Sequence, residues 1–321
     1  MTNENNLKLD ERQIRKGRPI GLPYQGSKKK LSKKIIEIIK QNFDTNKPIY
    51  DIFGGGGAIT AECLINGLEV HYNDIDKSIT DMFQRVITSD REYLKSLIIN
   101  RQDFYKIRDK ENKTIDDNLK LLVNSFGNNR ITYLYNKDIS DIKYNLAKEI
   151  IKKHDVFYGY RKTETYLKAK STFKEQLERL EQLERLQQLT ALQQLERLQQ
   201  LQALRQLERM QKINIGNLEI TNHDYKHFSY LTNTIIYLDP PYENTHLKGY
   251  SIDTFDSKAF YDWAYEMSKK NIVLISSYQI SDERFERVYE FKTARSTFAP
   301  NKKSGNQTEK LFMAKQWTYW H

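Results

Sequence analysis

The chain has one cysteine in 321 residues, Cys63, which excludes a disulfide framework and fits a reducing compartment. No apolar run approaches the roughly 18–20 residues needed to span a bilayer. The opening stretch, MTNENNLKLDERQIRKGRP, has no apolar segment of the secretory-leader type. A soluble, cytoplasmic protein is expected. Two phosphate-binding signatures are also missing. The run Phe53-Gly54-Gly55-Gly56-Gly57 lacks the G-x-G-x-x-G spacing, and no Lys-Ser/Thr pair follows it as a P-loop requires. Negative charge is in deficit: 52 Lys and Arg against 42 Asp and Glu leave a net charge of +10, compatible with a polyanionic partner or a merely basic surface.

The sequence does contain strand ends that carry acids and glycine. Residues 234–238 form a β-prone run that feeds into Asp239-Pro240-Pro241-Tyr242. Two prolines cannot continue a ladder, so the strand stops there and presents an acid, two carbonyls and an aromatic. In an open α/β sheet that is where ligands bind. A strand over 48–53 runs into the four glycines and a helix over 58–66, the first unit of a dinucleotide-like fold. A strand over 69–73 ends on Asp74, placed for ribose hydroxyls, with Asp76 as a helix N-cap. Further strands are predicted over 218–222, 271–275 and 310–315, and a helix over 31–42 follows the turn at Pro23-Tyr24-Gln25-Gly26-Ser27-Lys28. Asp224, beside Tyr225, suits the amino group and ring face of an adenine. His71 reads as structural. A nucleoside cofactor and a second planar amine at one sheet edge point to group transfer onto a base.

The remainder departs from this grammar. Residues 1–18 read as a loose basic arm. Residues 85–213 show no clear βαβ unit and include Asn128, Asn129 and Arg130 among aromatics, side-chain types that read purine edges. Arg295, Lys302 and Lys303 mark a second candidate DNA contact, on phosphate. Leucine falls at every third residue from Leu177 to Leu207, with Met210 and Ile213 completing the series. That period matches neither a coiled coil nor an amphipathic helix, and on an α-helix the stripe drifts about 60° per repeat. The composition predicts one long helix over 176–213 that wraps a neighbour, self-associates or is poorly ordered, with no chemical role.

Taken in order, these motifs resemble the Dam-like, class α DNA adenine methyltransferases. The matching pieces are Pro23-Tyr24-Gln25-Gly26-Ser27-Lys28, Asp51-Ile52-Phe53-Gly54-Gly55-Gly56-Gly57, Asn73-Asp74-Ile75-Asp76, Asp224-Tyr225 and Asp239-Pro240-Pro241-Tyr242. Ser27 stands where the family has a second glycine, and the middle region does not show the recognition hairpin of the enzymes that read GATC. The resemblance implies an α/β fold: a Rossmann-like methyltransferase sheet formed by 19–84 and 214–321, with a mainly helical target-recognition region inserted at 85–213. It also implies S-adenosyl-L-methionine held by Tyr24, Lys28, Phe53, Gly55, Gly57, Asp74, Asp224, Tyr225 and Asp239, with no metal. Asp239, Pro240, Pro241 and Tyr242 then act on an adenine turned out of double-stranded DNA. Separately, a monomer is expected, with self-association through the leucine repeat as the alternative.

Three alternatives stay open. A cytosine amine could be the acceptor, since the same physics applies, although carbon-5 methylation would need a cysteine nucleophile and Cys63 reads as packing. The chain could bind DNA without turnover. It could also methylate RNA or a small molecule.

Overall fold

The computed structural model describes residues 6–24, 27–178, 197–216, 218–243, 255–291 and 308–315. The chain forms two compact units, the first of residues 1–21, 27–80 and 213–321, the second of residues 22–26 and 81–212. The elements run α1 (Ser32–Asn42), β1 (Ile49–Asp51), α2 (Ala58–Ile65), β2 (Val70–Asn73), α3 (Lys77–Thr88), α4 (Arg91–Ser96), α5 (Arg101–Arg108) and α6 (Ile115–Asn124). They continue with α7 (Lys137–His154), α8 (Glu164–Glu178), α9 (Gln199–Met210), β3 (Glu219–Thr221), β4 (Ile235–Leu238), α10 (Ser257–Ser268), β5 (Ile272–Ser277), β6 (Phe285–Glu290) and β7 (Lys310–Ala314).

The first unit is built on one sheet of order β3-β2-β1-β4-β5-β7-β6. The strands β1 to β5 are parallel to their neighbours, and β7 runs antiparallel between β5 and β6. Both faces are covered, which is why the central strands are continuous apolar runs. Alternation sorts them: Ile235, Tyr237, Ile272 and Leu274 face α1 and α2 with Ile35, Ile39 and Cys63, while Ile236, Leu238, Val273 and Ile275 face Phe260 and Ala264 of α10. Cys63 is thus a packing residue, and burial pushes its thiol up. The chain moves outward through β1, β2 and β3 and then returns to place β4 against β1. The crevice between the ends of β1 and β4 is therefore the switch point of a Rossmann-like sheet.

Two sequence expectations need correcting here. The arm is not loose over its described part, because Leu7 N donates to Val288 O at 2.9 Å and Asn42 brackets Lys8 through both its backbone groups at 2.8 Å. Arg15 adds an ion pair to buried Glu62, with Nη2 at 2.6 Å. Leu7 and Leu9 pack on the core beneath the helices, a contact too short to register as a periodic pattern. Strand β6 was not expected either. A bulge between Arg287 and Tyr289 breaks its alternation, so buried Phe285 and Val288 are three residues apart.

The second unit is helical. Phe104, Ile107, Leu121, Tyr133 and Tyr135 form a core cluster between α5, α6 and the chain that follows them. An antiparallel bridge between Ser125 and Tyr133, with Phe126 N donating to Thr132 O at 2.7 Å, closes a short loop. No alternating strands announce this turn. Asn128 donates to Leu122 O at 3.0 Å and Asn129 Oδ1 accepts from Ile131 N and Thr132 N, so both amides shape the loop.

The predicted helix over 176–213 is described only in part: α8 reaches Glu178, α9 begins at Gln199, and 179–196 lie outside the described residues. Within α9 the triplet leucines are core. Leu198, Leu201, Leu204, Leu207 and Met210 are each 0% exposed, and α9 packs on α4 and α6. Gln200 is buried as well, donating to Asn124 Oδ1 at 2.5 Å and Ile99 O at 3.1 Å. The stripe still turns around the helix axis as its period demands, but several neighbours cover it. Leu204→Ala should therefore cost about 2–5 kcal/mol of stability in this unit. Hydrogen exchange of the α4, α6 and α9 amides checks this, and unchanged protection in the variant would contradict it.

Candidate active site

Parallel pairing of β3, β2, β1 and β4 brings their carboxyl ends to one edge, with Asp51 opposite both Tyr72 and Tyr237. Asn73 ties three of those ends together. Its Nδ2 donates to Ile52 O and to His223 O, both at 2.9 Å, and its Oδ1 accepts from His223 N and the Thr221 hydroxyl at 2.8 Å. Nothing in the local sequence pattern singles out this buried amide as a junction.

The glycine loop leaves β1 under close constraint. A Cβ on Gly54 would meet the Tyr72 ring at 2.3 Å, so only glycine fits against it. Gly55 (φ 47°) donates its N–H to Asp74 Oδ2 at 2.8 Å, while its carbonyl accepts from Tyr72 Oη at 2.6 Å. Gly57 is left-handed at the start of α2. Beneath the loop, buried Asp51 accepts from Thr60 N and Oγ1 through Oδ2, at 3.1 and 2.7 Å. Its Oδ1 has no partner among the described residues. Burial raises its carboxyl to about 7, against the two Thr60 bonds.

The predicted cofactor residues fall into three groups. Asp74 ends β2, with Oδ1 accepting from Asp76 N at 2.9 Å, and burial raises its carboxyl. Asp76 caps α3 through Ser78 N at 2.9 Å, as its position suggested. Phe53 and Tyr225 stack at 6.1 Å, and both meet Phe255 and Phe260 in one aromatic cluster. Exposed Asp224 starts the short turn after β3 by accepting from Lys226 N at 2.9 Å. Tyr24 lies in the short stretch grouped with the second unit, and Gln25 and Gly26 lie outside the described residues. His71 is structural, stacked on Tyr50 at 4.3 Å and bonded to Glu219 at 2.8 Å.

At the end of β4, Lys28 draws two carboxyl groups together. Its Nζ lies 2.9 Å from Asp239 Oδ1 and 3.2 Å from Glu309 Oε1, bonds the Tyr242 hydroxyl, and sits 4.9 Å from the Tyr242 ring centre. Tyr242 donates to Glu309 Oε2 at 3.0 Å and leans on Tyr278 at 4.5 Å. Burial alone would push the Lys28 ammonium down, but the two carboxylates outweigh it and hold it up. Burial, with Glu309 adding to it and Lys28 opposing, raises Asp239 to about 6. The ion pair with Lys28 favours its charged form. Pro240 is buried beside it, and Pro241 and Tyr242 are half-buried. Glu309, Ser276 and Tyr278 were missed by the sequence reading.

The edge thus presents glycine backbone, an aromatic wall and the carboxyl groups of Asp74 and Asp239. Residues 24–137 match the family model of the D12 class N6 adenine-specific DNA methyltransferases. Over that stretch, about a third of its length, the chain is similar to this family. The D12 match covers the glycine loop and Asp74 and ends before Asp239, whose place beside Lys28 comes from the sheet. The description of that family names adenine in DNA as the group its members methylate. No curated protein matches the chain. Among the described residues, no helix is long and apolar enough to cross a membrane. Asn128, Asn129 and Arg130 lie together in the loop closed by Ser125 and Tyr133. Arg295, Lys302 and Lys303 lie outside the described residues.

Proposed function

We propose that the chain is a site-specific methyltransferase that moves the sulfonium methyl group of S-adenosylmethionine to the exocyclic amino nitrogen of one adenine in double-stranded DNA. The Asp239 carboxylate, fixed by Lys28 at the switch point, carries this reading. The adenine amine is a weak nucleophile because its lone pair is delocalised into the ring. Asp239 accepts one amine N–H through Oδ2, and the Pro240 carbonyl accepts the other. Both bonds favour a tetrahedral nitrogen whose lone pair is available for in-line attack, a gain that comes largely from positioning. Tyr242 offers its ring to the base, which must leave the duplex to reach the crevice.

The cofactor supplies the electrophilic methyl group, and the chain supplies its seat. The cradle fits a nucleoside: a Cβ on Gly54 has no room, Gly55 and Gly57 take positive φ, and Phe53 and Tyr225 form an apolar wall. Asp74 receives the ribose hydroxyls. Its two oxygens each accept one backbone N–H, and each keeps a second lone pair. Asp224 and Tyr225 take the amino group and face of the cofactor adenine, and Lys28 completes the seat. The loop bearing Asn128, Asn129 and Arg130, together with Arg295, Lys302 and Lys303, contacts DNA.

Incubation of the protein with methyl-labelled S-adenosylmethionine and unmethylated DNA, followed by digestion to nucleosides, tests the reading. Label should elute as methyladenine. Label in methylcytosine, in RNA or in a small solute would replace it with the corresponding alternative. DNA binding without any label would leave a non-catalytic binding protein.

A further inference from the structure

Glu309 has no role so far, yet it stands at the centre of the Asp239 cluster. Its backbone is fixed at the start of β7, where its carbonyl accepts from Phe291 N at 3.0 Å. Its side chain is 4% exposed and fully engaged. Oε1 accepts from the Ser276 hydroxyl of β5 at 2.8 Å and faces the Lys28 ammonium at 3.2 Å, while Oε2 accepts from Tyr242 at 3.0 Å. A carboxylate buried this deeply is costly unless it organises the groups around it. Here those groups are the ones that would meet the base.

We propose that Glu309 is a positioning residue for methyl transfer, holding the Lys28 ammonium against Asp239 and anchoring the hydroxyl of Tyr242. The inference rests on the adenine-transfer reading above. A bare Lys28–Asp239 pair would leave the ammonium free to swing with its long side chain. Glu309 gives it a second anchor on a different strand, so the direction of Asp239 Oδ1 is set from two sides. The same carboxylate fixes the far end of the Tyr242 ring and so sets the plane it offers. The charged and titratable groups facing Asp239 are Lys28, Glu309, Asp74, Asp51 and the phenols of Tyr237 and Tyr242. Glu309 is a negative neighbour, and its presence raises the Asp239 carboxyl.

Glu309→Gln keeps the shape and an acceptor but removes the charge. The expected result is about a tenfold fall in kcat at pH 8 with little change in KM for DNA. The acid limb of the kcat profile should also move to lower pH, by roughly half a unit to one unit. Tyr242→Phe removes only the hydroxyl contact and should lower kcat without moving the limb in that direction. Carbon-13 NMR titration of the Asp239 carboxyl, assigned with Asp239→Asn, reads the same shift in the free protein. An unmoved midpoint in a folded Glu309→Gln protein, or a kcat equal to wild type, overturns the role of Glu309. A wild-type protein that moves no methyl group to adenine overturns the functional reading instead, so the two failures are told apart.

Discussion

Asp239→Asn should stop methyl transfer while leaving the protein folded. The amide fills the same space and can still accept from Lys28 through its oxygen. Its NH₂ group then faces the adenine amine, so two donors oppose each other where a donor and an acceptor should meet. Loss of one such polar contact at the reacting centre costs about a hundredfold to a thousandfold in rate. Single-turnover transfer at saturating cofactor, beside circular dichroism of the variant, measures this. A variant within tenfold of wild type would show that Asp239 does not activate the amine. In the wild type, activity requires the ionised carboxylate and should fall as pH drops through about 6. Stability runs the other way. A carboxyl raised above its ordinary 3.8 binds its proton more tightly in the folded state, so this group lowers stability as pH rises from about 4 to about 6. The protein accepts that loss to keep a poorly solvated carboxylate facing the crevice.

Lys28→Met should be the most destabilising single change in the cluster. Methionine fills the space of the aliphatic stem but leaves Asp239 and Glu309 buried without the ammonium they share. Breaking a buried ion cluster in this way costs about 3–5 kcal/mol. The sign with pH is definite. Without the cation, the Asp239 carboxyl rises further above its unfolded value, so the penalty is full at pH 8 and shrinks as pH falls and Asp239 binds a proton. Urea unfolding at pH 8 and pH 5.5 checks this. An equal loss at both would assign it to packing rather than charge.

Much of the framework could be read directly from the residues. The apolar runs of β4 and β5 and the glycines after β1 each signal their element within a few positions. The paired prolines fix where β4 ends, and the acids at the strand ends follow from that. Glu309 could not be found in this way. It precedes a lysine and follows a polar stretch, and local pattern says nothing of its burial, because its partners Lys28, Tyr242 and Ser276 arrive from three other parts of the chain. Asn73 was quoted within a motif without its role, since an amide that joins three strand ends looks locally like any turn residue. The described arm escaped notice for the opposite reason: its hold on the core is mostly backbone hydrogen bonding, to which side-chain periodicity is blind. In α9 a period of three circles the helix, and local pattern cannot say that neighbours surround it.

That helix also faces a problem of counting. Successive triplets offer the same leucine at the same interval, so the hydrophobic contacts barely distinguish a segment from its neighbour one triplet along. Gln200 breaks the degeneracy. Moving the chain by one triplet would put Ala203 or Arg197 where its amide meets Asn124 and Ile99, leaving those groups without their partner or confronting them with a buried cation. A single amide therefore serves as the address of the helix. A repeat that gained or lost whole triplets upstream could still dock the same twelve residues.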